Sequence, residues 1–358
     1  MYAKRIDSLT AKMREKGIDQ LVVAAPSSIY YLTGNHVGPG ERLLALYLDT
    51  GGKRLFFVNE LFCITEAPGL DLIVYNDIQD PISMLAERVS PTGTLGIEKT
   101  WPAHFLINLM ERVPGLKIVN GSAVIDETRM IKDADEIALM REASRINDAV
   151  MAELVPRVAD GLAEKTFSRM LGDMYEARGG SGSAYFGIIA FGANAADPHH
   201  GSGTALPKPG DAVIMDIGTM LNHYWSDMTR TVFFGATPEE SGKLYDIVRR
   251  ANLAAEQLIK PGARCSDIDR AARAVIEEAD YGPYFTHRTG HNIGIDIHEY
   301  PDISSVNEMP VQEGMIFSIE PGIYLPGKVG VRIEDLVLVT ADGCEVLNSY
   351  TKDMQIVQ

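Results

Sequence analysis

The stretch Asp211–Thr231 reads DAVIMDIGTMLNHYWSDMTRT. Its two flanks are rich in Val, Ile, Met, Thr and aromatic residues, which favour strands, and Asn222 between them is a turn former. The stretch therefore reads as a β-hairpin. With Leu221-Asn222 as a two-residue loop, Asp216 falls directly opposite Asp227. Directly opposed side chains share a face of the sheet. Two carboxylates placed so would repel one another unless a cation lay between them. Solvated carboxylates on an exposed hairpin are the competing reading of this stretch alone.

A second pair of carboxylates follows the same pattern. Ile316-Phe-Ser-Ile-Glu320-Pro-Gly and Val329-Gly-Val-Arg332-Ile-Glu334-Asp335 flank a turn at Pro326-Gly327-Lys328. Pairing about Gly327 sets Glu320 opposite Glu334, with Pro321-Gly322 as a place where that register could break. Each glutamate follows an isoleucine in an apolar strand, a costly place for an unpaired charge. Between the hairpins, Thr286-His-Arg-Thr-Gly-His291-Asn-Ile-Gly-Ile-Asp-Ile-His298-Glu299 holds three of the eight histidines, and Pro198-His199-His200, ahead of the first hairpin, holds two more. A helical zinc motif is excluded at His298-Glu299, because Pro301 breaks the helix and Asp302 stands where the second histidine would be. The glycine-rich run Gly179–Ser183 lacks the last glycine of a dinucleotide fingerprint.

Working outward, residues 4–17 read as a helix ending at Gly17, and Asp19–Ala25 as a buried strand. Strands are expected at Leu43–Leu48, Arg54–Val58, Leu72–Tyr75, Thr94–Ile97 and Leu116–Val119, with helices at Ile82–Val89 and Ala103–Arg112. This alternation predicts an α/β N-terminal domain over 1–125. From Asp126 the texture becomes charged and helix-favouring. A connecting helix there, a helix at Leu162–Ala177, strands, helices near Pro238–Ile259 and Ser266–Ala279, and further strands make a second domain over 126–358.

The formal charge is −16, from 33 Lys and Arg against 49 Asp and Glu. A surface this acidic repels phosphate backbones, which argues against nucleic acid as a partner. No apolar run reaches the roughly 20 residues that cross a bilayer. Three scattered cysteines argue against a disulfide framework and for a reducing compartment. A cytoplasmic location is the expectation.

Taken in order, "MDIG", "YWSDMTRT", "HRTGHNIGIDIHE", "IEPGIY" and "GVRIED" resemble the signature words of the "pita-bread" metallopeptidases: aminopeptidase P, prolidase and methionine aminopeptidase. "SSIYYLTG" at Ser27–Gly34 resembles the start of a creatinase-type N-terminal domain. The resemblance implies an α+β pita-bread catalytic domain after the α/β domain, and two divalent ions. Asp216 would hold one ion, His291 and Glu320 the other, and Asp227 and Glu334 both. A ligand set of one imidazole and oxygens suits manganese, with cobalt, zinc or iron as alternatives.

The resemblance further implies that Glu320 shuttles a proton, that His199 and His298 face the substrate, and that Arg332 lines the site. His200 leaves the His199 assignment ambiguous by one position. Asn292 departs from the glycine usual in the family. The implied substrates are short peptides with proline second, cleaved by an Xaa-Pro aminopeptidase or Xaa-Pro dipeptidase that forms a homodimer. Tyr185, Phe186 and Tyr300 are candidate walls for the proline ring. Another two-metal hydrolase or lyase, or a non-catalytic binding module, are the alternative readings; the complete ligand set weighs against the last.

Overall fold

The computed structural model describes residues 2–182 and 185–358; Ser183, the last residue of the glycine-rich run, lies outside them with Met1 and Ala184. Two compact units divide the chain, Met1–Arg129 and Met130–Gln358.

In the first unit, α1 (Tyr2–Glu15) buries Ile6, Leu9 and Met13, a helical stripe, and stops short of Gly17 at φ 66°. The other elements are β1 (Gln20–Val23), α2 (Pro26–Thr33), β2 (Ala45–Asp49), β3 (Arg54–Asn59), β4 (Asp71–Tyr75), α3 (Pro81–Ala86), β5 (Thr94–Ile97), α4 (Ala103–Arg112), β6 (Lys117–Asn120) and α5 (Ser122–Arg129). One mixed sheet runs β4-β3-β2-β1-β5-β6. β1 pairs antiparallel with β2 and parallel with β5, and all four of its residues are buried.

Two helices were not expected. α2 covers most of "SSIYYLTG", whose aromatic and β-branched residues obscure a helix, although Pro26 in its first turn and Gly34 at φ 78° mark both ends. α5 lies where the sequence turns charged without a clear stop signal.

The second unit repeats a plan of two helices followed by strands. α6 (Ala134–Leu154) begins at a capping box, in which Asp133 accepts from the Glu136 backbone and Glu136 accepts from that of Asp133. α6 and α7 (Glu164–Glu176) pack on β7 (Tyr185–Phe191), β8 (Ala212–Leu221) and β10 (Met228–Phe234) through residues such as Val150, Phe167, Met215 and Val232. The short β9 (Tyr224–Trp225) pairs with β8, off the main path of the sheet. α8 (Glu239–Glu256) and α9 (Cys265–Glu277) pack through Leu244, Val248 and Ile268 on Phe317, Ile319 and Val337 of the second sheet.

That sheet contains β11 (Gly290–Asn292), β12 (Glu299–Ile303), β13 (Ile316–Ile319), β16 (Asp335–Val339) and β17 (Cys344–Val346), in the order β12-β11-β13-β16-β17. β14 (Gly322–Leu325) and β15 (Val329–Arg332) form a separate ribbon, and β18 (Ile356–Val357) returns to pair with β10.

Three consecutive residues of β10 stitch the two halves together. The Thr229 carbonyl accepts from Glu334 N at 3.1 Å. Arg230, 1% exposed, donates to the Glu334 carbonyl at 2.6 Å and to Asp335 Oδ1 at 2.7 Å. Thr231 Oγ1 donates to the Arg332 carbonyl at 2.8 Å.

The first hairpin differs from its expected register. Leu221 pairs with Tyr224, so the loop is Asn222-His223, both at positive φ (45° and 69°), the geometry of a type I′ turn. The pairing moves by two residues, and Asp216 sits opposite Thr229 instead of Asp227. An even shift keeps the faces, so Asp216 and Asp227 still line one pocket. The second hairpin has the register expected: Gly322 pairs with Arg332 and Ile319 with Asp335. Glu320 and Glu334 occupy the gap between those two ladders.

Candidate active site

One cavity of about 640 Å3 collects four carboxylates and four histidines of the second unit. β8 contributes Asp216, and the break between β9 and β10 contributes Asp227. His291 comes from β11, and Glu320 and Glu334 come from the gap in the second hairpin. Ligand-type atoms of Asp227, His291 and Glu334, all buried, lie within 4.8 Å of one another. His291 Nε2 is 3.5 Å from Glu320 Oε1 and 4.0 Å from Asp227 Oδ2. The other ring nitrogen, Nδ1, is 3.1 Å from the Asn292 carbonyl, which can only accept. That contact places the proton on Nδ1 and turns the Nε2 lone pair toward the carboxylates.

Burial governs the electrostatics. It pushes Asp227 and Glu334 well above the ordinary carboxylate range, and the neighbouring carboxylates push them further. Burial raises Glu320 to about 7, with Arg332 opposing the rise. His291 is lowered to about 3 by burial, then by the charge of His298.

Some of the carboxylate oxygens have partners. Arg332 donates to Asp216 Oδ2 at 2.6 Å, to Thr229 Oγ1 at 3.1 Å and to the Tyr324 hydroxyl at 2.9 Å. Thr229 Oγ1 in turn donates to Glu334 Oε2 at 2.7 Å, and Ser318 donates to Glu320 Oε1 at 3.3 Å. Three oxygens in this cluster, Asp216 Oδ1, Asp227 Oδ1 and Glu334 Oε1, are buried with no hydrogen-bond partner. Buried oxygens without donors cost free energy, and a cation among them is what such a donor set accommodates. The residues present therefore fit divalent metal.

The histidine pair is separated by direction. His199 lines the cavity with Pro198, whereas His200 Nε2 lies 2.9 Å from Glu164 Oε2. His298 lines the cavity, its ring 4.1 Å from that of His291. Of the three aromatic candidates only Phe186 lines the cavity; Ile188, Pro198 and Ile297 supply the rest of the apolar wall. Tyr185 instead packs near Tyr175.

Sequence reading missed several functional neighbours. Thr229 and Tyr324 stand inside quoted signature words but carry no charge to draw notice. His287 and Arg288 lie within the quoted His291 segment, but no role was assigned to either, and both line the cavity as well. Glu164 is invisible in sequence, since it acts on a loop about 30 residues away.

Comparison with known proteins decides the lineage. The profile of metallopeptidase family M24 matches residues 138–341, and that of the creatinase/prolidase N-terminal domain matches residues 5–131. The chain belongs to metallopeptidase family M24. A relative described as an uncharacterized peptidase of Staphylococcus aureus (strain MSSA476) is 35% identical over 357 residues, covering 97% of this chain and 99% of its own. The solved prolidase of Thermococcus sibiricus has a TM-score of 0.94 at 34% identity, over 100% of this chain and 99% of its own. The Xaa-Pro dipeptidase from Bacillus anthracis has a TM-score of 0.90 at 28% identity, with both chains fully covered. This M24 member thus has the pita-bread catalytic fold behind a creatinase-type N-terminal domain, and it is a metal-dependent hydrolase. No described helix is long and apolar enough to cross a membrane.

Proposed function

We propose that the chain is an Xaa-Pro dipeptidase with two divalent ions held by Asp216, Asp227, His291, Glu320 and Glu334. The observation that carries this reading is the set of three partnerless buried oxygens on Asp216, Asp227 and Glu334, residues that line one cavity with His291 and an apolar wall. The prolidase and Xaa-Pro dipeptidase likenesses support proline as the second residue. Two ions bound there would supply Lewis acidity toward the scissile carbonyl and would acidify the attacking water.

The chain's own residues do the rest. Glu320, set in the cavity wall with Ser318 donating to its Oε1, is placed to take the proton of the attacking water at a carboxylate oxygen and return it to the proline nitrogen. His298 donates to the scissile carbonyl oxygen as negative charge develops on it. His199 faces the same substrate from the opposite loop. Arg332 holds Asp216 in place. Phe186, Ile188 and Ile297 enclose the proline ring, which has no N–H to satisfy.

Manganese is the ion this oxygen-rich set favours. The domain boundary near residue 126, a homodimeric assembly and a cytoplasmic location complete the reading; all three cysteines are free, as a reducing compartment requires. Sedimentation tests the assembly. For the activity, metal-stripped protein is assayed with Xaa-Pro and Xaa-Ala dipeptides after each ion is added back. Xaa-Pro is expected to lead by roughly tenfold or more in kcat/KM. Equal rates would overturn the proline assignment, and full activity without metal would overturn the metal assignment.

A further inference from the structure

Two guanidinium groups face the cavity, and they are used differently. Arg332 is 3% exposed and spends its donors on Asp216, Thr229 and Tyr324. Arg288 is half-buried in the cavity wall, and its side chain makes no hydrogen bond or ion pair with any described residue. Its charge is nonetheless felt at His291, His298 and Glu320.

The backbone that carries Arg288 is held from behind on both sides. Arg273 stacks on the Phe285 ring at 4.2 Å and pairs with buried Asp269 at 3.0 Å. It also donates to the carbonyls of Phe285 and His287, both at 3.0 Å. Asp269 Oδ1 then accepts from Thr289 N at 3.1 Å and from Thr289 Oγ1 at 2.8 Å. The Thr289 carbonyl in turn accepts from Glu320 N at 2.7 Å. A charged side chain on an anchored backbone, aimed into a cavity and left unpaired, is a preorganised anion receptor.

We propose that Arg288 is a specificity-determining residue that pairs with a substrate carboxylate, namely the free C-terminus of a two-residue peptide. This rests on the peptidase reading above. A dipeptide brings its terminal carboxylate within a few bonds of the scissile bond, whereas a longer peptide has a neutral amide at that place. Arg288 would then favour dipeptides over longer chains.

The test compares Met-Pro with its C-terminal amide, and Met-Ala with its amide, in wild-type protein and in Arg288→Gln and Arg288→Lys. Wild type should favour acid over amide by about tenfold or more, the scale of one charge-assisted fork. Arg288→Gln should collapse that ratio to within about threefold, mainly through KM, and Arg288→Lys should fall between, since it keeps the charge and loses the fork. A wild type indifferent to the amide, or a ratio unchanged in Arg288→Gln, overturns the proposal. Glu-Pro-amide forms a further arm: if Arg288→Gln impairs that peptide selectively, the carboxylate read is the first residue's side chain and the C-terminal assignment is overturned. Calorimetric binding of each acid and amide to metal-stripped protein needs no turnover and must show the same loss. Absence of a proline preference would remove the proline assignment alone, because the Met-Ala pair still reports on Arg288.

Discussion

His199 and His200 are neighbours in sequence and opposites in use. One faces the cavity and the other bonds a buried glutamate. No periodicity separates them, because a loop residue's direction is set by what its neighbours bond to. His199→Ala is expected to cut kcat by roughly 10²-fold or more with metal content intact, as a group acting on the transition state would. His298→Ala should behave likewise. His291→Ala should instead lose metal, read by elemental analysis. Equal metal loss in the His291 and His298 variants would show that ligand and substrate residues have been exchanged. The four candidate carboxylates were legible in sequence because facing carboxylates in apolar strands are anomalous, whereas His291 was singled out from its neighbouring histidines only by the family resemblance. Arg288 and Tyr324 were not, since an arginine or tyrosine in a loop or strand is unremarkable until its partners are seen.

At the scale of elements, the loop from Phe191 to Gly203 hangs on one carboxylate. Glu164, fully buried, accepts from Phe191 N at 2.9 Å, Asn194 Nδ2 at 2.9 Å and Gly203 N at 2.8 Å, besides contacting His200. These bonds hold its pKa below the usual value despite burial. Glu164→Gln replaces one of the two acceptor oxygens with an NH2 donor and leaves one backbone N–H, that of Phe191 or of Gly203, unsatisfied. It should lower kcat while metal content and KM change little, and Glu164→Asp should restore part of the loss. A fall in metal content instead would assign Glu164 a general folding role.

The strand β8 has a comparable constraint. A Cβ on Gly218 would lie 2.3 Å from the Ser226 carbonyl and 2.2 Å from the Phe186 ring. Gly218→Ala is expected to cost about 1–3 kcal/mol in denaturant unfolding and to disturb both Asp227 and the apolar wall. Strands and long helices of this unit follow their hydrophobic periods closely. The first hairpin register did not, because turn type depends on φ at Asn222 and His223, which composition alone does not specify.

For the whole molecule, a cluster of facing carboxylates links metal binding to folding. Divalent ions should raise the thermal midpoint of stripped protein, by about 2.7 kcal/mol of added stability at a hundredfold excess over Kd. Asp227→Asn removes one of the mutually repelling charges that burial already disfavours. It should melt at or above the stripped wild type, yet gain less from added metal. A variant that melts lower in stripped form would mean that the carboxylates are held by hydrogen bonds and not poised for cations.

The stitching of β10 to the second half also bears on how the chain could be divided. Asp216 and Asp227 lie before the short connection at Gly235–Pro238, and His291, Glu320 and Glu334 lie after it. Cutting the chain there would leave two fragments, each with an incomplete ligand set and its own helix pair. Thr229, Arg230 and Thr231 would still offer the first fragment a docking edge for the second, and β18 would return to pair with β10. Fragments 1–236 and 237–358 should therefore be silent apart and recover hydrolysis when mixed, a complementation system whose signal reports directly on reassembly of the seam.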